Sequence, residues 1–312
     1  MIKIDLITGF LGAGKTTFIK KYVTYLIEKG LNVCVLENDF GAINIDMMLL
    51  DSIDCDKEMI SGGCDYDCHF RRFKTKLIQM ALKRYDRVIV EPSGLFHTDE
   101  FFDALYEEPL DSLYEIGNIF CIYDFNTNNL SDEAKSFLAS ELCVASKIIV
   151  SKDEDNKKLD LSYINQILNE FNSDRIISDN DVLYNNFLDF DKIINSGFHQ
   201  SSTRKIIDSS NKFDSIYFLE NKMSLEQIKE KAKILFNDKS YGNVKRIKGF
   251  IKDNDKWVRI NLTNENFEIE NNSIGQEVFI VIGENLNKEK INDFINSTTI
   301  AQQKAWLFCG GV

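Results

Sequence analysis

Residues 2–17 read IKIDLITGFLGAGKTT, and this stretch decides the architecture. The run Lys3 to Thr8 is rich in β-branched and apolar residues and predicts a strand, and Lys15 to Lys29 predicts a helix closed by Gly30. Between them GFLGAGKTT fits G-x-x-x-x-G-K-[ST] through Gly9, Gly14, Lys15 and Thr16. Glycines let the backbone turn tightly, so that the N–H groups of Gly12, Ala13, Gly14, Lys15, Thr16 and Thr17 face phosphate oxygens at the positive end of the helix dipole. Lys15 is then expected to reach the β and γ phosphates of a nucleoside triphosphate and the Thr16 hydroxyl to ligate Mg²⁺.

Outward from this loop, short apolar runs alternate with helical patterns. The strand candidates are Asn32 to Glu37, Asp86 to Glu91, Asn118 to Asp124 and Lys147 to Ser151. Continuous apolar strands separated by crossover helices predict an α/β fold: a P-loop parallel sheet with helices on both faces. The Ser- and Asn-rich segment 195–215 reads as a linker. Beyond it come a strand at Ile216 to Glu220, a helix at Leu225 to Asn237 opened by the capping-box pair Ser224 and Gln227, further extended runs, and a last helix near Lys288 to Ile295. The expected division is a nucleotide domain over residues 1–200 and a smaller α+β domain over 201–312.

A phosphate loop needs carboxylates at neighbouring strand ends to hold magnesium and aim a water. Glu37, Asn38 and Asp39 follow the second strand and Glu91 ends the third in VIVEPSG. Asp39 and Glu91 are the expected magnesium and catalytic acids beside Lys15, and Gly94 offers a backbone N–H to the γ-phosphate. Guanine presents two donors that one carboxylate accepts together, whereas adenine offers no such pair there. After KIIVS stand Ser151, Lys152, Asp153, Glu154 and Asp155, an N/T-K-x-D-like segment with Ser at the amide position and Glu at the carboxylate position. Ser151, Lys152 and Glu154 are therefore the candidate base site, with GTP the expected nucleotide.

The net charge of −12 over 312 residues argues against a nucleic-acid surface, which needs clustered cations. No apolar stretch approaches a membrane span, so no membrane partner is expected. IKIDLITGF runs into the glycine loop with no room for a signal peptide, which predicts a cytoplasmic protein and reduced thiols among its seven cysteines. Cys34, Cys121 and Cys143 sit in apolar runs and read as core. In SGGCDYDCHF, Cys64, Cys68 and His69 stand close together on a glycine-led turn, a donor set suited to Zn²⁺ or another late first-row divalent ion, with Glu37 or water as the fourth ligand.

Taken together, the motifs resemble the CobW-type GTPases, relatives of the HypB and UreG nickel chaperones. GFLGAGKTT is similar to the family's P-loop, ENDFGAINID to its E-N-E-F-G switch segment, EPSG to its E-x-x-G segment and SKDE to its [NT]-K-x-D. In the second half VKRIKGFI and EVFIVIGENLNKEKI resemble the family's C-terminal domain. The resemblance implies GTP hydrolysis with Mg²⁺ and transfer of a metal such as zinc, cobalt or nickel to a client metalloprotein or metal-cofactor enzyme, and it leaves a homo-oligomer open. Three departures stand out. Only Cys64 aligns with the family's G-C-x-C-C motif, Ala42 replaces a frequent acid, and the chain has three histidines and no histidine-rich stretch. Two other functions use the same loop: an ATP-dependent small-molecule kinase with Asp39 or Glu91 as base, and a nucleotide-gated activator of a corrinoid or metalloenzyme partner.

Overall fold

The computed structural model describes residues 1–10, 12–38, 50, 53–60, 66–92, 97–127, 130–152, 158–203, 213–219, 223–264, 266–272, 275 and 277–297, without the side chains of 66–68 and 213–214. The chain divides into two compact units, Met1–Asp208 and Ser209–Val312. No helix among the described residues is long and apolar enough to cross a membrane.

In the first unit β1 (Ile2–Thr8), β2 (Val33–Asn38), β3 (Asp56–Ile60), β4 (Arg87–Pro92), β5 (Tyr114–Asp124), β6 (Lys147–Ser151) and β7 (Val182–Tyr184) form one sheet. Its order is β3-β2-β4-β1-β5-β6-β7, and every pairing is parallel. On one face lie α1 (Lys15–Glu28) and the short α7 (Phe190–Ile193). On the other lie α2 (Tyr66–Ala81), α3 (Asp99–Leu105), α4 (Leu110–Leu113), α5 (Asp132–Val144) and α6 (Leu161–Glu170). Helix α1 buries Phe18, Ile19, Tyr22, Val23 and Leu26, spaced at helical period on one side, against Ile7, Val35, Ile89, Phe120 and Ile122 of the sheet. The parallel α/β fold read from the sequence is the fold observed.

Strands β3 and β7 are additions to that reading. Each pairs with a single neighbour at an edge of the sheet. DKEMI in β3 opens with three charged residues and is only partly buried, so it lacks the apolar run that betrays a central strand. The division between the two units falls inside the segment expected as a linker, and the first residues of that segment are bonded into the first unit. Gly197 is bonded on both sides, its N–H donating to Asn118 Oδ1 at 3.0 Å and its carbonyl accepting from Ile119 N at 3.0 Å. His199 N donates to the Val144 carbonyl at 2.8 Å, so residues 195–199 belong to the first unit. At the other end Phe213 already starts β8.

The second unit is an antiparallel sheet of order β11-β10-β9-β12-β8, made of β8 (Phe213–Leu219), β9 (Asn243–Asp253), β10 (Lys256–Leu262), β11 (Phe267–Asn272) and β12 (Val278–Glu284). Helices α8 (Leu225–Asn237) and α9 (Lys288–Asn296) bury Ile228, Ala232, Leu235, Ile291 and Phe294 against it. The capping box opens α8, with Gln227 N donating to Ser224 Oγ at 3.3 Å and Ser224 N to Gln227 Oε1 at 2.9 Å.

A buried charge organises the central strands. Asp5 in β1 is fully buried, and its Oδ2 accepts from Tyr22 Oη at 2.8 Å and Arg87 Nη1 at 3.0 Å. Its Oδ1 accepts from the Asn118 backbone N–H at 2.7 Å. Burial raises the Asp5 pKa despite the Arg87 guanidinium. Strand β5 makes room by shifting register opposite Asp5, between the Ile4–Ile116 and Leu6–Ile119 pairs. Gly117 sits in that shift, where a Cβ would fall 2.2 Å from Asp5 Oδ1. The Asp5→Ala variant leaves Arg87 buried and unpaired and is expected to lose about 3 to 5 kcal/mol in urea unfolding. A loss below about 1 kcal/mol would show that the ion pair is dispensable.

Candidate nucleotide-binding site

Strand β1 ends at Thr8, and the loop to α1 turns on glycines with left-handed φ: 141° at Gly9, 80° at Gly12 and 95° at Gly14. At Gly9 a Cβ would lie 2.3 Å from the Ile122 carbonyl oxygen, so only glycine fits there. Gly14 is the N-cap of α1, with Lys15, Thr16 and the exposed Thr17 in its first turn and Ala13 buried just before it. Loop amides and the helix N-terminus thus meet at one end of β1, an arrangement that favours an anion.

Lys15 is nearly buried, and its ammonium donates to the Gly9 carbonyl at 2.9 Å. An ammonium has three donors, so this bond steers the chain and leaves donors for phosphate oxygens. Thr16 Oγ1 donates to Glu91 Oε1 at 3.1 Å, which joins the loop to the end of β4 across 75 residues of sequence. Glu37 stands opposite Glu91 in the β2–β4 register, and both carboxylates are buried. A buried carboxylate that touches the Thr16 hydroxyl suits a hard divalent cation bound through oxygen.

At the end of β6, Ser151 Oγ donates to the Ala13 carbonyl and, at 3.3 Å, to that of Tyr123. The hydroxyl at the amide position of the base segment therefore ties that segment directly to the phosphate loop. Lys152 has a left-handed φ of 57°, and its Nζ donates to Asp124 Oδ2 at 2.8 Å. Asp124, the register partner of Ser151, was not singled out from the sequence, although its place at the end of an apolar strand is the same signal that marked Glu91.

His69 lies in the first turn of α2 and is buried, and Cys68 precedes it on the same helix. The expected glycine-led turn therefore gives way to helix before Cys68. Asp39, Cys64, Gly94, Glu154 and the Cys68 side chain lie outside the described residues. Among the described residues, no group of three or more His, Cys, Asp or Glu stands where it would hold a metal ion. Cys34, Cys121 and Cys143 are buried free thiols, pushed up by burial, as their apolar runs suggest.

Glu141 of α5 is the residue that sequence reading passed over. It is fully buried, and its Oε1 accepts from Thr8 Oγ1 at 2.7 Å and Gly9 N at 3.2 Å. Its Oε2 is buried without a hydrogen-bond partner among the described residues. Burial pushes its carboxyl up to about 7, while the Thr8 hydroxyl, the Lys15 charge and the Gly9 N–H pull the other way. An acid on an apolar helix face, in ASELCVAS, was the available sequence signal.

A parallel sheet whose first strand runs through a glycine loop into a helix bearing Lys15 and Thr16 is the arrangement of the P-loop nucleotide-binding proteins. Residues 3–179 match the family described as CobW/HypB/UreG, nucleotide-binding domain, and the chain belongs to that family. The zinc chaperone YeiR of Escherichia coli (strain K12) is 32% identical over 127 residues, 40% of this chain and 38% of that protein. The zinc chaperone YjiA of the same organism is 22% identical over 160 residues, 49% of this chain and 50% of its own length. The zinc chaperone CobW of Pseudomonas aeruginosa is 30% identical over 105 residues, 30% and 28% of the two chains. The chain thus spans half or less of the length of these curated relatives. Among solved structures, the Zn(II)-bound YjiA GTPase from E. coli aligns over 94% of this chain and 97% of that one, at 16% identity and a TM-score of 0.41.

The raised Glu141 carboxyl has a consequence for stability. A carboxyl raised on folding from 4.5 to about 7 contributes stability that is fully present below pH 4.5 and lost as pH rises through 7. Glu141→Gln keeps an acceptor for Thr8 and Gly9 without the titration. The stability of Glu141→Gln relative to wild type should therefore rise by about 2.5 kcal/mol between pH 5 and pH 8, measured by denaturant unfolding. A difference that does not change with pH would mean that Glu141 ionises as if in water.

Proposed function

We propose that the chain binds GTP with Mg²⁺, hydrolyses it, and uses the cycle to deliver zinc or another late first-row divalent ion to a client metalloprotein or metal-cofactor enzyme. The observation that carries this reading is the contact of Thr16 with Glu91 beside the Lys15 loop, in a chain of the CobW/HypB/UreG family. Lys15 and the amides of residues 12–17 take the phosphates. Thr16, Glu91 and Asp39 hold the magnesium, which when bound neutralises charge on the phosphate oxygens. Glu91 or Asp39 orients the attacking water, and the Gly94 N–H receives the γ-phosphate.

Support for guanine comes from the end of β6, where Ser151 is bonded to the phosphate loop and Lys152 is held by Asp124. That scaffold would place Glu154 or a neighbouring aspartate to accept from the guanine edge. The cargo ligands in this reading are Cys64, Cys68, His69 and Glu37, soft donors with one carboxylate. The relatives named zinc chaperones favour zinc among the candidate ions. Coupling between cargo and nucleotide has a short physical path, because Glu37 and Glu91 are register partners on adjacent strands.

GTP should bind at least about tenfold more tightly than ATP, since a carboxylate paired with guanine contributes about 1.5 to 3 kcal/mol. Equal affinities would favour the kinase. Zinc should bind wild type more tightly with a non-hydrolysable GTP analogue than with GDP, by about 5- to 150-fold, and Cys64→Ser/Cys68→Ser should lose that binding. Cysteine-independent binding of zinc, cobalt and nickel alike would end the cargo reading and favour the activator of a partner enzyme.

A further inference from the structure

Gly9 is held from both sides by opposite charges. Its carbonyl accepts from the Lys15 ammonium at 2.9 Å, and its N–H donates to Glu141 Oε1 at 3.2 Å. Glu141 also takes the hydroxyl of Thr8, the last residue of β1. The carboxylate therefore fixes the point where the phosphate loop leaves the sheet. It does so from α5, an element that contributes no residue to the motif. Three observations set Glu141 apart from an ordinary cap: its full burial, an Oε2 without a partner among the described residues, and the Lys15 ammonium bonded to the same Gly9.

The groups facing the carboxyl are few. From the loop and α1 come the Thr8 hydroxyl, the Gly9 N–H and the Lys15 ammonium, and from β5 comes the Cys121 thiol, itself held protonated by burial. Asp99 and Arg175 act on the Cys143 thiol, two residues further along α5. Among the described residues, Lys15 is thus the one cation of the groups that act on Glu141. Phosphates drawn to Lys15 would neutralise that cation and bring added negative charge toward a carboxylate with no water to shield it.

We propose that Glu141 is a positioning residue of the phosphate loop and takes up a proton from solvent when a nucleotide's phosphates engage Lys15. The proton adds to the unpartnered Oε2, and Oε1 remains the acceptor for Thr8 and Gly9. Binding of the anion and protonation of the loop's anchor then favour each other, which makes nucleotide affinity fall as pH rises past neutrality. This rests on the nucleotide-binding reading of the loop.

The test is calorimetry of Mg·GDP binding to the full chain in buffers of different ionisation enthalpy. Wild type and Glu141→Gln are compared, so that titration of the GDP phosphate cancels. With a rise of about one unit at Glu141, wild type should take up about 0.5 proton more than the variant at pH 7.5, and between pH 6.5 and 8.5 its affinity should fall about sixfold more. A second measurement needs no variant: the infrared difference spectrum of wild type on adding GDP should lose a carboxylate band and gain a protonated-carboxyl band. Equal proton counts for two proteins that both bind GDP, or a difference spectrum without a new protonated carboxyl, would overturn the role of Glu141 and leave the nucleotide site standing. Absence of any GDP binding by wild type would instead overturn the nucleotide site and the proposal with it.

Discussion

A single buried carboxylate, Asp5, constrains the centre of the sheet. It sits in β1 between β4 and β5, and it binds a guanidinium from one neighbour and a backbone N–H from the other. Tyr22 of α1 donates to the same oxygen as Arg87, so the helix that follows the phosphate loop is tied to the strand that precedes it. Asn118 Nδ2 and Arg87 Nη1 both reach the Ile194 carbonyl, which pulls the chain after α7 onto the same point. A buried ion pair is a poor source of net stability, yet its geometry admits one register. That register sets where β1 ends and the loop begins.

From that fixed strand end, the site is assembled by bonds that each cross a large stretch of sequence. Glu141 holds Thr8 and Gly9 from α5, Ser151 holds Ala13 from β6, and Glu91 holds Thr16 from β4. The loop is thereby gripped at its entry, its middle and its exit into α1. Two of the grips come from strands of the parallel sheet, whose carboxyl ends converge on one edge, and the third comes from a helix packed on it. A loop rich in glycine loses much entropy on ordering, and these contacts offset that cost.

The parallel fold was legible because central strands in such sheets are covered on both faces and read as unbroken apolar runs. Lys147 to Ser151 was located to the residue, and the other central strands to within a few residues. Strand β3 carries no such run, because an edge strand has one neighbour and a partly wet face, and β7 is apolar but only three residues long. The convergence of the Lys15–Thr16 loop with Glu91 and Ser151 was legible, since the strand ends of a parallel sheet meet at one edge. Glu141 and Asp124 were not, because their partners lie far away in sequence and periodicity does not report which buried position faces which. The start of the linker expected over residues 195–215 shows a related limit: Gly197 and His199 there bond groups of β5 and α5, and composition does not report such distant partners.

The central claim is that the loop between β1 and α1, with Lys15 at its end, binds the phosphates of a nucleotide. It is tested most directly by equilibrium binding of GTP, with magnesium, to wild type and Lys15→Ala. The ammonium is the one mobile cation that the motif directs at the β and γ phosphates, so its removal should weaken GTP binding at least about a hundredfold while the far-ultraviolet spectrum is unchanged. A folded Lys15→Ala protein that binds GTP as tightly as wild type would contradict the account.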